Sequence, residues 1–329
     1  MEQNRGVNFP IDLVYMWVDG NDPKWRERRS RYMEGAEVCP PQQEARWIDN
    51  EELRYSLRSV AMYAPWVNHI YIVTDGQSPK WLNTSHPKIT IVDHSEILPA
   101  EALPVFNSHA IESCIYRIPG LSECFILGND DTMFLAPVTP ETFFKGDGSP
   151  IVRLSGQRFN RAKAARKGLY HRVILHMQQL IKEQCGLDIH HAPHHNFDAY
   201  RRSDFEQCVA LMPEAWRATS YRRFRSDEDM QRCFVSYWSI AHGAEMQLVG
   251  RYDRTKGLGG AIKAMFTGRY ATYSRCIPLT TLDYDRVLAK YNPLMICMND
   301  GEETSDIDRH RLVEFLDKHY PNKCDFEAL

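Results

Sequence analysis

No apolar run in this 329-residue chain approaches the roughly 18 residues needed to cross a bilayer. The first segment, Met1 to Pro10, is polar and lacks the apolar centre of a signal peptide. There is no CxxC pair. Nine cysteines, an odd number, scatter from Cys39 to Cys324, which argues against a disulfide framework and for free thiols in a reducing compartment such as the cytosol. Neither sign of charge dominates: 40 Lys and Arg against 43 Asp and Glu leave a net charge of −3, so the whole chain is not a polycation built for nucleic acid. Repeats and low-complexity tracts are also missing. What remains is 43% hydrophobic and 25% charged, the balance of a globular protein, and the length fits one large domain or two ordinary ones.

The first 150 residues alternate strand and helix patterns. Ile11 to Val18 is a β-branched and aromatic run stopped by the turn Asp19-Gly20-Asn21-Asp22-Pro23. Glu51 to Tyr63 carries Leu53, Leu57, Val60 and Ala61 at helical spacing, with Asp49 or Asn50 as the expected cap. His69 to Thr74, Ile89 to Val92 and Cys124 to Leu127 read as further strands, and Asn107 to Ile118 as a helix with an Asn-Ser cap. This order implies an α/β fold with a mostly parallel sheet. Asp19, Asp22, Asp75, Asp130 and Asp131 all fall just past strand ends, the edge where open α/β sheets bind ligands. Asp also forms turns readily, so one such residue alone says little.

The second half is expected to be mainly helical and packed on the sheet. Val173 to Cys185, Phe205 to Leu211, Asp227 to Ala241 and residues 308–319 read as helices, whereas Gly257 to Gly268 reads as a loop. The division is a single catalytic domain with three parts, 1–150, 151–290 and 291–329.

Five clusters carry chemistry. Asn129-Asp130-Asp131 offers adjacent carboxylates at a strand end, a set that suits Mg²⁺ or Mn²⁺ beside a diphosphate. His190-His191-Ala192-Pro193-His194-His195 lacks the spaced pairs of a closed zinc site, and a phosphate-facing or acid–base histidine fits better. In Arg222 to Asp229, Ser226 or Asp227 is expected to cap a helix and set Arg225 beside its N-terminus, where anions bind, although a surface salt-bridge cluster fits the same residues. Asn299-Asp300-Gly301 follows the apolar Leu294 to Met298 and is expected to return to the sheet and complete a metal shell. The basic stretch Arg158, Arg161, Lys163, Arg166 and Lys167 is either a solvated face or a guide for an anionic acceptor or lipid.

Together these segments resemble the Stealth proteins. The family includes bacterial capsule and exopolysaccharide sugar-phosphate transferases and the eukaryotic enzyme that adds N-acetylglucosamine-1-phosphate to lysosomal glycoproteins. Four blocks carry the resemblance: IDLVYMWVDGNDPKW at Ile11 to Trp25, a second block from about Trp47 to Phe144, HHAPHHNFD with FRSDEDMQ between His190 and Gln231, and ICMNDGEE through the closing FE, Ile296 to Glu327. The resemblance implies a glycosyltransferase A-type core. It places Trp17, Val18, Asp19 and Gly20 at the nucleotide-sugar site and Glu112 at an acidic site position. Asp130, Asp131, Asn299 and Asp300 are placed near Mg²⁺ (or Mn²⁺), with His191 and Arg225 in the catalytic set. The doubled histidines leave the choice between His191 and His194 open, and the base is either the histidine or Asp131.

The expected reaction moves a hexose- or N-acetylhexosamine-1-phosphate from a UDP-sugar to a hydroxyl of a glycan or lipid-linked glycan, releasing UMP. A metal-dependent glycosyltransferase that releases UDP is the alternative, and a non-catalytic glycan- or polyanion-binding module is a third reading. The expected workplace is the cytoplasm or the inner face of its membrane, with peripheral contact left open. The sequence names neither the sugar nor the oligomeric state.

Overall fold

The computed structural model describes residues 6–33, 47–250 and 257–328. Its main sheet has the strand order β3-β2-β1-β4-β8, formed by β1 (Ile11–Met16), β2 (Ile70–Thr74), β3 (Ile89–Asp93), β4 (Cys124–Asn129) and β8 (Asp198–Arg201). The first four strands are parallel, and only β8 runs antiparallel, along β4. The chain is therefore α/β with a mostly parallel main sheet, as its strand and helix pattern implies.

The period of two in each strand sorts the side chains onto two faces. Val14, Val73, Phe125, Leu127 and Tyr200 enter one core, packed with Ile115, Met177, Phe205 and Phe234. Leu13, Tyr15, Ile72, Ile126 and Ala199 enter the other, packed with Leu53, Leu57 and Val60 of the helix Glu52–Tyr63. Both faces being covered by helices explains why these strands read as continuous apolar runs.

Two smaller sheets complete the fold. One has the order β10-β11-β5, from β5 (Thr132–Phe134), β10 (Ser274–Pro278) and β11 (Met295–Asn299). The other has the order β7-β6-β9, from β6 (Ile151–Arg158), β7 (His191–Pro193) and β9 (Glu245–Val249). The strand that leads into the fourth motif, β11, lies in this small sheet and not in the main one; it runs antiparallel to β5, and Met298 N donates to Asp131 O at 2.8 Å.

Several local expectations need correction. Gly257–Thr267 is a helix, not a loop, because Ala261 to Phe266 are adequate helix formers despite the leading glycines. The helix expected from Asp227 begins at Arg232, capped by Gln231 and not by Ser226 or Asp227. The reason is Asp229, whose carboxylate is occupied by Asn107, His109, Arg222 and the Ser226 amide, which holds residues 226–229 as a loop. Glu51, in the left-handed region at φ 62°, occupies the cap position expected of Asp49 or Asn50. Asp49 instead accepts from the Glu51 amide, and Asn50 donates to Glu52.

Candidate active site

β1 has β2 on one side and β4 on the other, so the strand order reverses there. At such switch points the loops past the carboxyl ends diverge and leave a crevice. The crevice here is a cavity of 1080 Å³. Trp17 and Val18 line it from the end of β1, and Asn129, Asp130 and Asp131 from the end of β4.

Asp19 and Gly20 belong to the turn behind this wall. Asp19 accepts from the Asn21 amide, and its own amide donates to Gln77. A Cβ on Gly20 would lie 1.8 Å from the Trp47 carbonyl oxygen, so only glycine lets the segment carrying Trp47 close over the turn. Trp47 itself lines the cavity, with Trp25 beside it at a centroid distance of 5.1 Å. Asp75, another strand-end acid, accepts from Trp25 Nε1 at 2.9 Å and pairs with Arg28. Its part is to position Trp25.

The floor is acidic. Burial, reinforced by Asp131, raises the carboxyl of Asp130 above the usual range. Burial likewise raises Asp131, opposed by a hydrogen bond from Cys297 Sγ at 3.1 Å and reinforced by Glu52. Glu52 is pushed up to about 8 by burial and then by Asp130. Asp49, raised to about 6 by burial, adds a further acidic group beside Asp130. Burial and mutual repulsion thus disfavour full ionisation of these carboxyls together, an arrangement that a cation would relieve.

The ligand atoms of Asp131, His195 and Cys297 lie within 4.8 Å of one another. Asp131 Oδ1 is buried with no hydrogen-bond partner among the described residues, which leaves it open to an ion. Burial keeps the Cys297 thiol far above its ordinary range. It thus acts here as a neutral donor to Asp131 and not as a thiolate. The oxygens of Asp131 fit a hard divalent cation, with neutral His195 beside them, while Asp130 lies outside this group. Asp300 is engaged differently: both its oxygens accept from Arg309, at 3.2 and 3.3 Å. It lies outside the three-residue group, as does Asn299 at the exposed end of β11.

The histidine-rich segment sends its four rings to separate places, His190 to Asp188 at 3.3 Å. His191, on β7, contacts Ser155 O through Nδ1 and does not line the cavity. His194 meets Ser274 Oγ through Nδ1 at 2.9 Å. His195 lines the cavity and accepts from Asn129 Nδ2 at 2.8 Å. Burial, with Arg232 and His194 nearby, depresses His195 to about 3, so it is neutral at working pH.

The cavity also holds cationic side chains. Arg225 lines the cavity, and its guanidinium donates to Ser108 Oγ at 2.5 Å. That geometry depends on Asp229, which binds Asn107 at 3.0 Å and His109 at 3.2 Å and so ties the arginine loop to the helix Ser108–Glu112. Glu112 lines the cavity as well. Arg232, also at the cavity, sits 3.9 Å from Glu112 and 3.8 Å from Asp198. Its Nη1 is buried without a hydrogen-bond partner among the described residues. Asp198 is held up at about 7 by burial, partly offset by Arg232 and Arg153.

Comparison with known proteins gives the family. Stealth protein CR1, conserved region 1, matches residues 9–37, and Stealth protein CR2, conserved region 2, matches residues 46–152. An exopolysaccharide phosphotransferase of Streptomyces coelicolor is 39% identical over 98% of this chain and 53% of its own length. The receptor polysaccharide phosphotransferase WefC of Streptococcus gordonii is 31% identical over 96% of this chain and 98% of its own. The capsular polysaccharide phosphotransferase LcbA of Neisseria meningitidis is 36% identical over 68% of this chain and 62% of its own. The chain spans about half the length of the Streptomyces protein. Among solved structures, galactosyltransferase LgtC superposes with a TM-score of 0.45 at 10% identity, covering 94% of this chain and 96% of that one. Matched along nearly the whole of WefC, the chain belongs to the Stealth family.

Proposed function

We propose that the protein transfers a sugar-1-phosphate from a UDP-sugar to a glycan hydroxyl. The observation that carries this reading is that one cavity is lined by the acidic pair that follows β4 and by Arg225 and Arg232. Phosphoryl transfer needs alignment and charge neutralisation more than covalent help. The relatives' names as capsular, receptor and exopolysaccharide phosphotransferases support phosphotransfer over glycosyl transfer.

The acceptor oxygen bonds to the phosphorus that carries the sugar, and the bond from that phosphorus to the bridging oxygen breaks. UMP leaves with the bridging oxygen, and the product is a phosphodiester. Asp130 is the base of this reading, in place of His191, which lies away from the cavity. His195 is too weakly basic for the task, because its Nε2 already accepts from Asn129 and burial depresses it. Arg225 and Arg232 hold the diphosphate and the transferred phosphoryl oxygens through forked donors. Trp17, Trp25 and Trp47 provide apolar surface for the uracil or sugar. A divalent cation, Mg²⁺ or Mn²⁺, would be held by Asp131 with His195, and would neutralise diphosphate charge.

The donor is proposed as a UDP-hexose or UDP-N-acetylhexosamine. The acceptor side is assigned to Gly168 to Arg172, which line the cavity directly after the basic stretch ending at Lys167. No helix among the described residues is long and apolar enough to cross a membrane. The workplace proposed is the cytoplasmic side, where such donors are made.

Mass analysis of the modified acceptor tests the reading. A gain of a sugar plus one phosphate supports it, and a gain of the sugar alone refutes phosphotransfer.

A further inference from the structure

The helix Gly257–Thr267 is packed inside out. Its large apolar residues Leu258, Ile262, Met265 and Phe266 are 78%, 45%, 68% and 88% exposed, while Ala264 is 5% exposed. At about 100° per residue, those four side chains span an arc of roughly 100°, and Ala264 lies about 150° from its centre. The helix therefore rests on the protein through a small residue and turns its bulk outward. A helix docked only for internal stability would do the reverse.

The exposed apolar surface is also concentrated. Thirteen large apolar side chains are exposed among the described residues, and six of them fall between Met246 and Phe266. Met246 and Leu248 stand on β9, the strand that precedes this helix and lies at the edge of its sheet. Scattered exposed leucines need no explanation, but four large apolar side chains on one arc of a single helix mark a surface that something covers.

Charge decides what covers it. From Arg251 to Arg269 the sequence carries Arg251, Arg254, Lys256, Lys263 and Arg269 against Asp253 alone. Lys263 and Arg269 are exposed. An apolar helix face bordered by cations is the pattern of a helix that lies in the interface of an anionic bilayer, its large residues among the acyl chains and its lysine and arginine at the headgroups.

We propose that the helix Gly257–Thr267 is an interfacial anchor that docks this protein on an anionic lipid surface. This docking does not depend on the donor or the reaction. Its consequence for the site follows from the chain path. The helix leads into β10, where Ser274 holds His194 and Cys276 Sγ lies 3.9 Å from Cys297 Sγ, next to Asp131. Docking would thus hold the cavity close to the membrane, where a lipid-linked acceptor is presented.

Vesicle co-sedimentation of the full chain tests the proposal. Vesicles of phosphatidylcholine with phosphatidylglycerol are compared with phosphatidylcholine alone, at low and high salt. The expected result is binding to the anionic vesicles that weakens with salt. The double variant Leu258→Gln/Phe266→Gln should bind about tenfold more weakly or less, because two large apolar groups no longer leave water. Lys263→Glu/Arg269→Glu should weaken binding to the anionic vesicles as well. All these side chains are exposed, so unchanged thermal melting verifies the fold of each variant. Absence of binding to anionic vesicles overturns the proposal. So does equal binding by the Leu258→Gln/Phe266→Gln variant, which would assign lipid contact to another surface such as the basic stretch. A wild-type dimer that the same variant makes monomeric, without vesicle binding, would assign the face to a second copy of the chain.

Discussion

Glu327→Gln should destabilise the protein by about 3 kcal/mol at neutral pH. The Glu327 side chain is 1% exposed and accepts from Arg54 Nε at 2.6 Å, from Arg58 Nε at 2.7 Å and from Arg58 Nη2 at 3.0 Å. The Cys324 amide adds a fourth donor at 3.1 Å. Burial alone would raise this carboxyl, but the Arg58 and Arg54 hydrogen bonds win and hold it at about 2, against an ordinary value of 4.5. That difference of about 2.5 units corresponds to roughly 3 kcal/mol at about 1.4 kcal/mol per unit. The substitution also leaves Arg58, 6% exposed, without its carboxylate, a change that costs about 3–5 kcal/mol at other buried pairs. Because the folded value lies below the unfolded one, the stabilisation is fully present above about pH 4.5 and is lost as pH falls through 2. Denaturant unfolding of wild type and variant at neutral pH, at about pH 5 and at about pH 3.5 checks this. The difference should be constant between the first two and smaller at the third. A difference below about 1 kcal/mol at neutral pH would refute the reasoning and make the pair a marginal surface contact.

Gly20→Ala should lower the melting temperature and weaken donor binding together, since the new Cβ collides with the Trp47 backbone. A variant that melts and binds like wild type would remove the turn from the site. Arg232→Lys should cut turnover by about tenfold or more, because a lysine cannot place the planar fork that Arg232 holds near Glu112 and Asp198 on the phosphate proposed for it, and near-normal turnover would take Arg232 out of the site. Arg225→Lys should do the same through the phosphoryl contact proposed for it. Burial holds Glu52 at about 8, so its bound proton stabilises the fold at acid pH, and that contribution is lost as pH rises from about 4.5 through 8. Glu52→Gln should therefore melt close to wild type at about pH 5.5 and above it at about pH 9; an equal offset at both would contradict the assignment.

The fold and half of the site are legible in the sequence for the same reason. β1 and β4 are buried on both faces, so they read as apolar runs, interrupted in β1 only by Asp12, and the residues at their carboxyl ends, Trp17-Val18 and Asn129-Asp130-Asp131, stand at the cavity. The histidine segment is less legible because four rings in six residues offer no register. The short strand β7 and the turn after it decide that His195, not His191, reaches the cavity, and that depends on pairing with β6, distant in sequence. Arg232 sits outside any basic cluster. Only the packing of its helix against the helices Leu169–Cys185 and Arg202–Leu211 and against β6 sets it between Asp198 and Glu112. Cys297 looks like an ordinary core residue of an apolar strand, and its hydrogen bond to Asp131 appears only when β11 lies beside β5. The glycines of Gly257 to Gly260 mask a helix whose apolar residues point away from the protein, the reverse of the usual pattern.

The measurement that tests the central claim most directly is the identity of the released nucleotide. The protein is incubated with Mg²⁺, a panel of UDP-sugars and a short glycan acceptor, and UMP is separated from UDP, with EDTA and Asp131→Asn as controls. The account predicts acceptor-dependent UMP, lost with EDTA and in the variant. Release of UDP would contradict it, because the bond broken would then be at the sugar carbon and not at phosphorus.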